Sequence, residues 1–219
     1  MFYLMSDLHG EFQKFLNMLD EIQFGSSDQL IILGDVIDRG PESIPLLQYI
    51  MEHNNMELLL GNHEEMLLKS LINEDEEYYL CWMGNGGIST LSQLDLLSQE
   101  EQIDIIKYLR NCSMYKILDN YILSHAGVDT SLYTNGSNIE EFMRKQNSEY
   151  LLWKQDFFHS RSLDKYTVIF GHVPTYYLNG DRSLNIWHGK NKIGIDCGAC
   201  YFGGKLSCLR LDDMKEFYV

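Results

Sequence analysis

Short apolar runs closed by a small residue recur five times along the chain. Tyr3-Leu4-Met5 meets Ser6, Ile31-Ile32-Leu33 meets Gly34, and Leu58-Leu59-Leu60 meets Gly61. Tyr121-Ile122-Leu123 meets Ser124, and Val168-Ile169-Phe170 meets Gly171. Runs of this length, bounded by turn formers, predict strands buried on both faces. Helical periodicity comes after the first three. Residues 11–22 place Phe12, Phe15, Leu16, Leu19 and Ile22 on one face. Pro41 suits the first turn of a second helix reaching about His53. A third helix is expected over 64–72. Strand-helix-strand units of this kind imply a partly parallel sheet.

Residues 73–111 break the rhythm. Glu74-Asp75-Glu76-Glu77 reads as an acidic helix start, and 100–111 as a helix, so this stretch is expected to be a small helical insert. Apolar residues then flank Asp119-Asn120, predicting a hairpin of 115–118 with 121–123. Later strands are expected at 184–187, 192–196 and 205–211. The fold class is therefore α/β, as one domain over 1–219.

Composition narrows the picture. The chain has 219 residues and is 45% apolar, enough for a core burying roughly 70% of the unfolded surface. A net charge of −15 argues against a nucleic-acid partner, whose backbone calls for clustered Lys and Arg. The first residues lack the basic start of a signal peptide, and no run of ~18 apolar residues exists to span a membrane. Cys81, Cys112, Cys197, Cys200 and Cys208 are odd in number, which fits reduced thiols in a cytoplasm better than disulfides. Cys197 and Cys200 form a C-x-x-C without a second pair, so a structural zinc is not expected there.

The polar residues just past these strand ends bring the chemistry. Asp7 and His9 come after the first strand, spaced by two so that an extended backbone sends both to one side. Asp35 and Asp38 come after the second, Asn62 and His63 after the third, His125 after the fourth and His172 after the fifth. A lone Asp or His at a strand end is usually a cap. Five such ends suggest a common centre, because open sheets gather ligand sites where their strands finish. Carboxylates, imidazoles and one amide, without thiolate, suit Mn2+ first, with Fe or Zn2+ as alternatives. Two such ions ~3.5–4 Å apart would polarise a phosphoryl oxygen and deprotonate a shared water. Glu64 reads as the first-turn acid of its helix, favoured by the dipole. His53 and His159 carry no motif, and apolar neighbours make His188 a packing residue first.

Asp7-Leu8-His9-Gly10, Gly34-Asp35-Val36-Ile37-Asp38-Arg39-Gly40 and Gly61-Asn62-His63-Glu64 resemble the three signature blocks of the metal-dependent phosphoprotein phosphatases. His125-Ala126-Gly127 and Gly171-His172-Val173-Pro174 resemble the two later histidine blocks. The resemblance implies a calcineurin-like metallophosphoesterase sandwich of two mixed sheets flanked by helices. It assigns Asp7, His9 and Asp35 to one metal, and Asp35, Asn62, His125 and His172 to the other. His63 would be the general acid, oriented by Asp38, and in-line attack would come from a metal-bridging hydroxide. Arg39, together with Asn62, would bind the substrate phosphate. Wider metallophosphoesterases often carry a second His where Pro174 stands, which favours the phosphoprotein phosphatase branch.

The chain departs from that pattern at one place. A second phosphate-binding arginine is usual just after a Leu-Trp pair, but here Leu152-Trp153 precedes Lys154-Gln155-Asp156. Gln155 stands near its place, with Arg144 or Arg161 as substitutes. Ile195-Asp196-Cys197-Gly198-Ala199, with Gly203-Gly204, resembles the family's final block, a packing element near the site. The first substrate expected is phosphoserine or phosphothreonine of proteins. A dinucleoside polyphosphate is the alternative, favoured by the missing arginine. A non-catalytic metal-binding module would have been favoured by a lost ligand, and none is lost.

Overall fold

Side-chain alternation along β1 (Phe2–Met5) sets the layering. Tyr3 and Met5 face one side and Leu4 the other, as a period of two requires. The computed structural model describes residues 1–134, 136 and 138–219. In it β1 pairs in parallel with β2 (Gln29–Ile32), which pairs in parallel with β3 (Met56–Leu58). Strands β9 (Ser207–Arg210) and β10 (Lys215–Tyr218) complete the sheet antiparallel, in the order β10-β9-β1-β2-β3.

The second sheet contains β4 (Tyr115–Leu118), β5 (Tyr121–Ser124), β6 (Thr167–Phe170), β7 (Trp187–Gly189) and β8 (Lys192–Gly194). Its order is β4-β5-β6-β8-β7, with parallel pairing inside and antiparallel edges. Leu4, Ile31 and Leu209 of one sheet share an apolar cluster with Leu123, Ile169 and Ile193 of the other. The sheets thus stack face to face, as two apolar faces must.

Helices α1 (Phe12–Glu21), α2 (Ser43–Glu52) and α3 (Asn62–Ile72) cover the outer face of the first sheet. Phe15, Met18, Leu46 and Ile50 there bury against Tyr3, Met5, Leu30 and Ile32. On the opposite face, Phe142 of α7 (Ile139–Arg144) packs with Leu151, Phe157, Val168 and Phe170. Residues 73–111 contain α4 (Glu76–Gly84), α5 (Ile88–Leu94) and α6 (Gln99–Asn111). Asp75 and Ser98 cap the first and last, and Trp82, Leu94, Ile105 and Leu109 join the first sheet's outer cluster. No helix among the described residues is long and apolar enough to cross a membrane.

Several elements sit differently from expectation. The third strand ends at Leu58, because the Leu60 N–H leaves the sheet to donate to the Ser113 carbonyl at 2.8 Å. The second helix begins at Ser43, two residues after Pro41, and the third begins at Asn62. Only Trp187 of the expected 184–187 strand lies in one, and β10 was not expected.

Candidate metal centre and cleft

The loops after β1 and β2 interlock before any side chain is considered. Asp7 N–H donates to the Gly34 carbonyl at 3.1 Å, His9 N–H to that of Asp35 at 2.9 Å, and Gly10 N–H to that of Val36 at 2.7 Å. Loops after β2 and β3 also touch: a methyl on Gly34 would meet the Gly61 backbone at 2.6 Å, and one on Gly61 would run into Asp35 Oδ1. This crowding throws the site residues into the left-handed region. Their φ values are 53° at Asp7, 43° at His9, 55° at Asp35, 73° at Asp38, 66° at Arg39 and 66° at His172. Each costs roughly 1–2 kcal/mol for a non-glycine residue, and such strain gathers at functional sites.

Asp35 is the hub. Its Oδ2 lies 3.3 Å from His125 Nε2 and 3.8 Å from Nε2 of both His9 and His63. Its Oδ1 accepts the His63 backbone N–H at 3.0 Å, at the positive end of α3. Two groups of ligand atoms lie within 4.8 Å of one another: His9, Asp35 and His63, and Asp35, His125 and His172. Asp7 is buried beside them. Its Oδ2 accepts the His172 N–H at 3.0 Å and a hydrogen bond from Ser6 Oγ.

The donor atoms fit metal ions. His9 Nδ1 faces the Ile37 carbonyl at 2.9 Å and His125 Nδ1 faces that of Leu33 at 2.7 Å, so each ring turns its Nε2 to the interior, where a metal would find it. His125 Nε2 meets Asn62 Oδ1 at 2.9 Å, His172 Nδ1 at 3.1 Å and Asp35 Oδ2 at 3.3 Å. Acceptor atoms converging on one ring nitrogen call for a cation between them, a metal ion or, without one, a proton on that nitrogen. Burial opposes a proton on His125, yet the Asp35 and Asp7 carboxylates and the Leu33 carbonyl together outweigh it and push the imidazole up to about 10. Burial and the neighbouring His125 push His172 down to about 3, and among the described residues its buried Nε2 has no hydrogen-bond partner. The guanidinium of Arg39 meets His9 Nε2 at 2.8 Å and His63 Nε2 at 3.0 Å, a cation already set against two ring nitrogens.

His63 Nδ1 sits 2.5 Å from Asp38 Oδ2. Burial works against the charged ring, but the Asp35 and Asp38 carboxylates hold its pKa above the ordinary value. Sequence reasoning missed the groups that hold this pair. Trp82 Nε1 and Thr90 Oγ1 donate to Asp38, and Tyr201 OH lies 3.1 Å from the Arg39 guanidinium. Glu64 does more than face a helix dipole. Its buried carboxylate accepts N–H groups of Asp35, Gly61, Val36 and Ile37 at 2.8–3.3 Å, stapling two ligand loops together. Its place as the last residue of the Gly61-Asn62-His63-Glu64 block was the sequence signal that could have found it.

A cleft of about 500 Å³ opens over these residues, with Arg39, His63, Gln155, Tyr176, Tyr177 and Phe202 in its wall. Gln155 therefore reaches the cleft, and neither proposed substitute does. Arg161 is spent on the carbonyls of Thr130 and Tyr133, and Arg144 ends α7 away from the lining. His188 pairs with Glu216 at 2.7 Å on the surface. Cys197 is buried against Thr175, Cys200 lies near Arg39, and all five cysteines are free.

The calcineurin-like phosphoesterase family profile matches residues 1–203, and the chain belongs to that family, whose members depend on two metals. The bis(5'-nucleosyl)-tetraphosphatase PrpE of Halalkalibacterium halodurans is 25% identical, the match spanning 98% of this chain and 91% of that one. Serine/threonine-protein phosphatase 2 of Escherichia coli K12 is 30% identical over 90% of this chain and 87% of its own. A crystal structure provisionally described as a diadenosine tetraphosphatase superposes with a TM-score of 0.69 at 19% identity, covering 100% of this chain and 92% of the other.

Proposed function

We propose that the chain hydrolyses dinucleoside polyphosphates, reversing the order of the two substrates expected from the sequence. The observation that carries this reading is the cleft wall: one arginine, Gln155 near the place of a second, and exposed Tyr176, Tyr177 and Phe202. A phosphate monoester dianion rewards two guanidinium groups. An internal phosphate of a polyphosphate chain carries less charge, and its nucleosides offer flat faces to aromatic rings, worth ~1–3 kcal/mol per stacked base. The relative named as a tetraphosphatase, matched along nearly the whole chain, supports the same reading.

Asp7, His9, Asp35, Asn62, His125 and His172 would hold two divalent ions, Mn2+ first and Fe or Zn2+ as alternatives. When bound, the pair supplies the attacking water and neutralises phosphoryl charge. Arg39 clamps the phosphate, with Asn62 beside it. Asp38 holds the His63 ring by Nδ1, and Nε2 delivers a proton to the departing oxygen.

Matched assays with Mn2+ on diadenosine tetraphosphate and on phosphoserine and phosphothreonine peptides test this. The dinucleotide is expected to give the larger kcat/KM. Preference for the peptides would overturn the reading. It would favour a protein phosphatase, which the Asp38–His63 pair and the Escherichia coli relative support.

A further inference from the structure

Helices α4 and α5 lie outside every signature block, yet they grip Arg39, which lines the cleft, and Asp38, which holds His63 from behind. Asp38, Trp82 and Thr90 are each 0% exposed. The Trp82 indole N–H reaches both Asp38 oxygens, at 3.0 and 2.9 Å. Thr90 Oγ1 donates to Asp38 Oδ1 at 2.6 Å and accepts the Asp38 backbone N–H at 2.9 Å, so one hydroxyl ties side chain and main chain together. Where α4 passes into α5, the Gly86 carbonyl accepts the Arg39 N–H at 3.2 Å. Gly87 lies flat against the indole, where a methyl would meet the ring at 2.6 Å.

From this juxtaposition we infer that Trp82 and Thr90 are positioning residues, which aim His63 at the leaving group by fixing the plane of Asp38. The terminal torsion of an aspartate is broad, so its carboxylate turns easily unless donors pin it. Here donors from two helices pin it, and the His63 ring moves with it through their 2.5 Å contact. The two helices thereby become part of the reacting apparatus. Proton delivery is taken from the functional reading above; the grip on Asp38 stands on geometry alone.

Three variants isolate the grip. Trp82→Phe keeps the ring and removes the donor. Thr90→Val keeps the shape and removes the hydroxyl, which Thr90→Ser restores. The first readout is the downfield Nδ1 proton resonance of His63 in Zn2+-loaded, 15N-histidine-labelled protein, assigned with His63→Asn. It should shift or broaden in Trp82→Phe and Thr90→Val and return in Thr90→Ser. The second is a series of aryl phosphates. kcat should fall about tenfold further for phenyl phosphate than for dinitrophenyl phosphate, whose leaving group needs no acid, with KM unchanged. An unmoved resonance in both variants, or equal losses along the series, overturns the inference. Wild-type protein inactive on every phosphate ester would defeat the functional reading instead, and the resonance would then decide the positioning role alone.

Discussion

The floor of the cleft is Asp35 with Asp7, His9 and Asp38 packed beneath it, all four buried at positive φ and tied by hydrogen bonds. On the rim, Tyr177 is 70% exposed and Phe202 is fully exposed, and neither has an unusual backbone. The floor holds strain against a dense set of donors, so a change there disturbs several neighbours at once. The rim holds area in readiness for a ligand, so a change there alters one contact. On this reading the floor performs the chemistry and the rim chooses what is brought to it.

Removing the metals should have the largest effect. Chelation is expected to abolish turnover of every phosphate ester, with Mn2+ restoring it. Retained activity in metal-free protein would detach the floor from the chemistry. Next comes His63→Asn, expected to lower kcat by about 10²–10⁴ while metal content, measured by elemental analysis, stays at the wild-type level. A variant with wild-type kcat would remove the general acid.

Rim changes should act more gently and more selectively. Tyr177→Ala and Phe202→Ala are each expected to raise KM for diadenosine tetraphosphate by about tenfold, in line with one lost stack. A small aryl phosphate, which has no base to stack, should respond far less. Equal losses on both substrates would erase the contrast between floor and rim. The smallest effect concerns pH. In metal-free protein His125 holds its proton up to about pH 10, against 6.5 ordinarily, because the Asp35 and Asp7 carboxylates and the Leu33 carbonyl together outweigh burial. Its folded pKa is raised, so its stabilisation is complete below pH 6.5 and drains away as pH climbs through 10. The melting temperature should fall across that window in chelated protein and fall less with Zn2+ bound, where the metal replaces the proton. Identical slopes with and without metal would break the link.

Much of the floor was legible because five apolar runs each deliver a ligand type at a strand end. That pattern is local, and the parallel sheet turns it into proximity. The third run misled by two residues: Leu59 and Leu60 are buried, but burial there comes from packing after the strand has ended. Strand β10 escaped notice because Lys215 and Glu216 give it the mixed face of an edge strand. Trp82 and Thr90 were beyond reach, since their value lies in meeting Asp38 from 44 and 52 residues away. Nor could spacing decide among Gln155, Arg144 and Arg161, whose fates depend on a π turn at Glu149–Trp153 and on carbonyls near Thr130.

The backbone contact between Gly34 and Gly61 reaches beyond the working of one molecule. No single-base change in a glycine codon yields anything smaller, so every first step of drift at either position adds atoms where Asp35, Asn62 and His125 are gauged against one another. Descendants of this chain inherit that spacing unaltered or lose the centre with it. Room to acquire new substrates is left at positions such as Tyr177, Phe202 and Gln155, where a replacement disturbs no buried ligand.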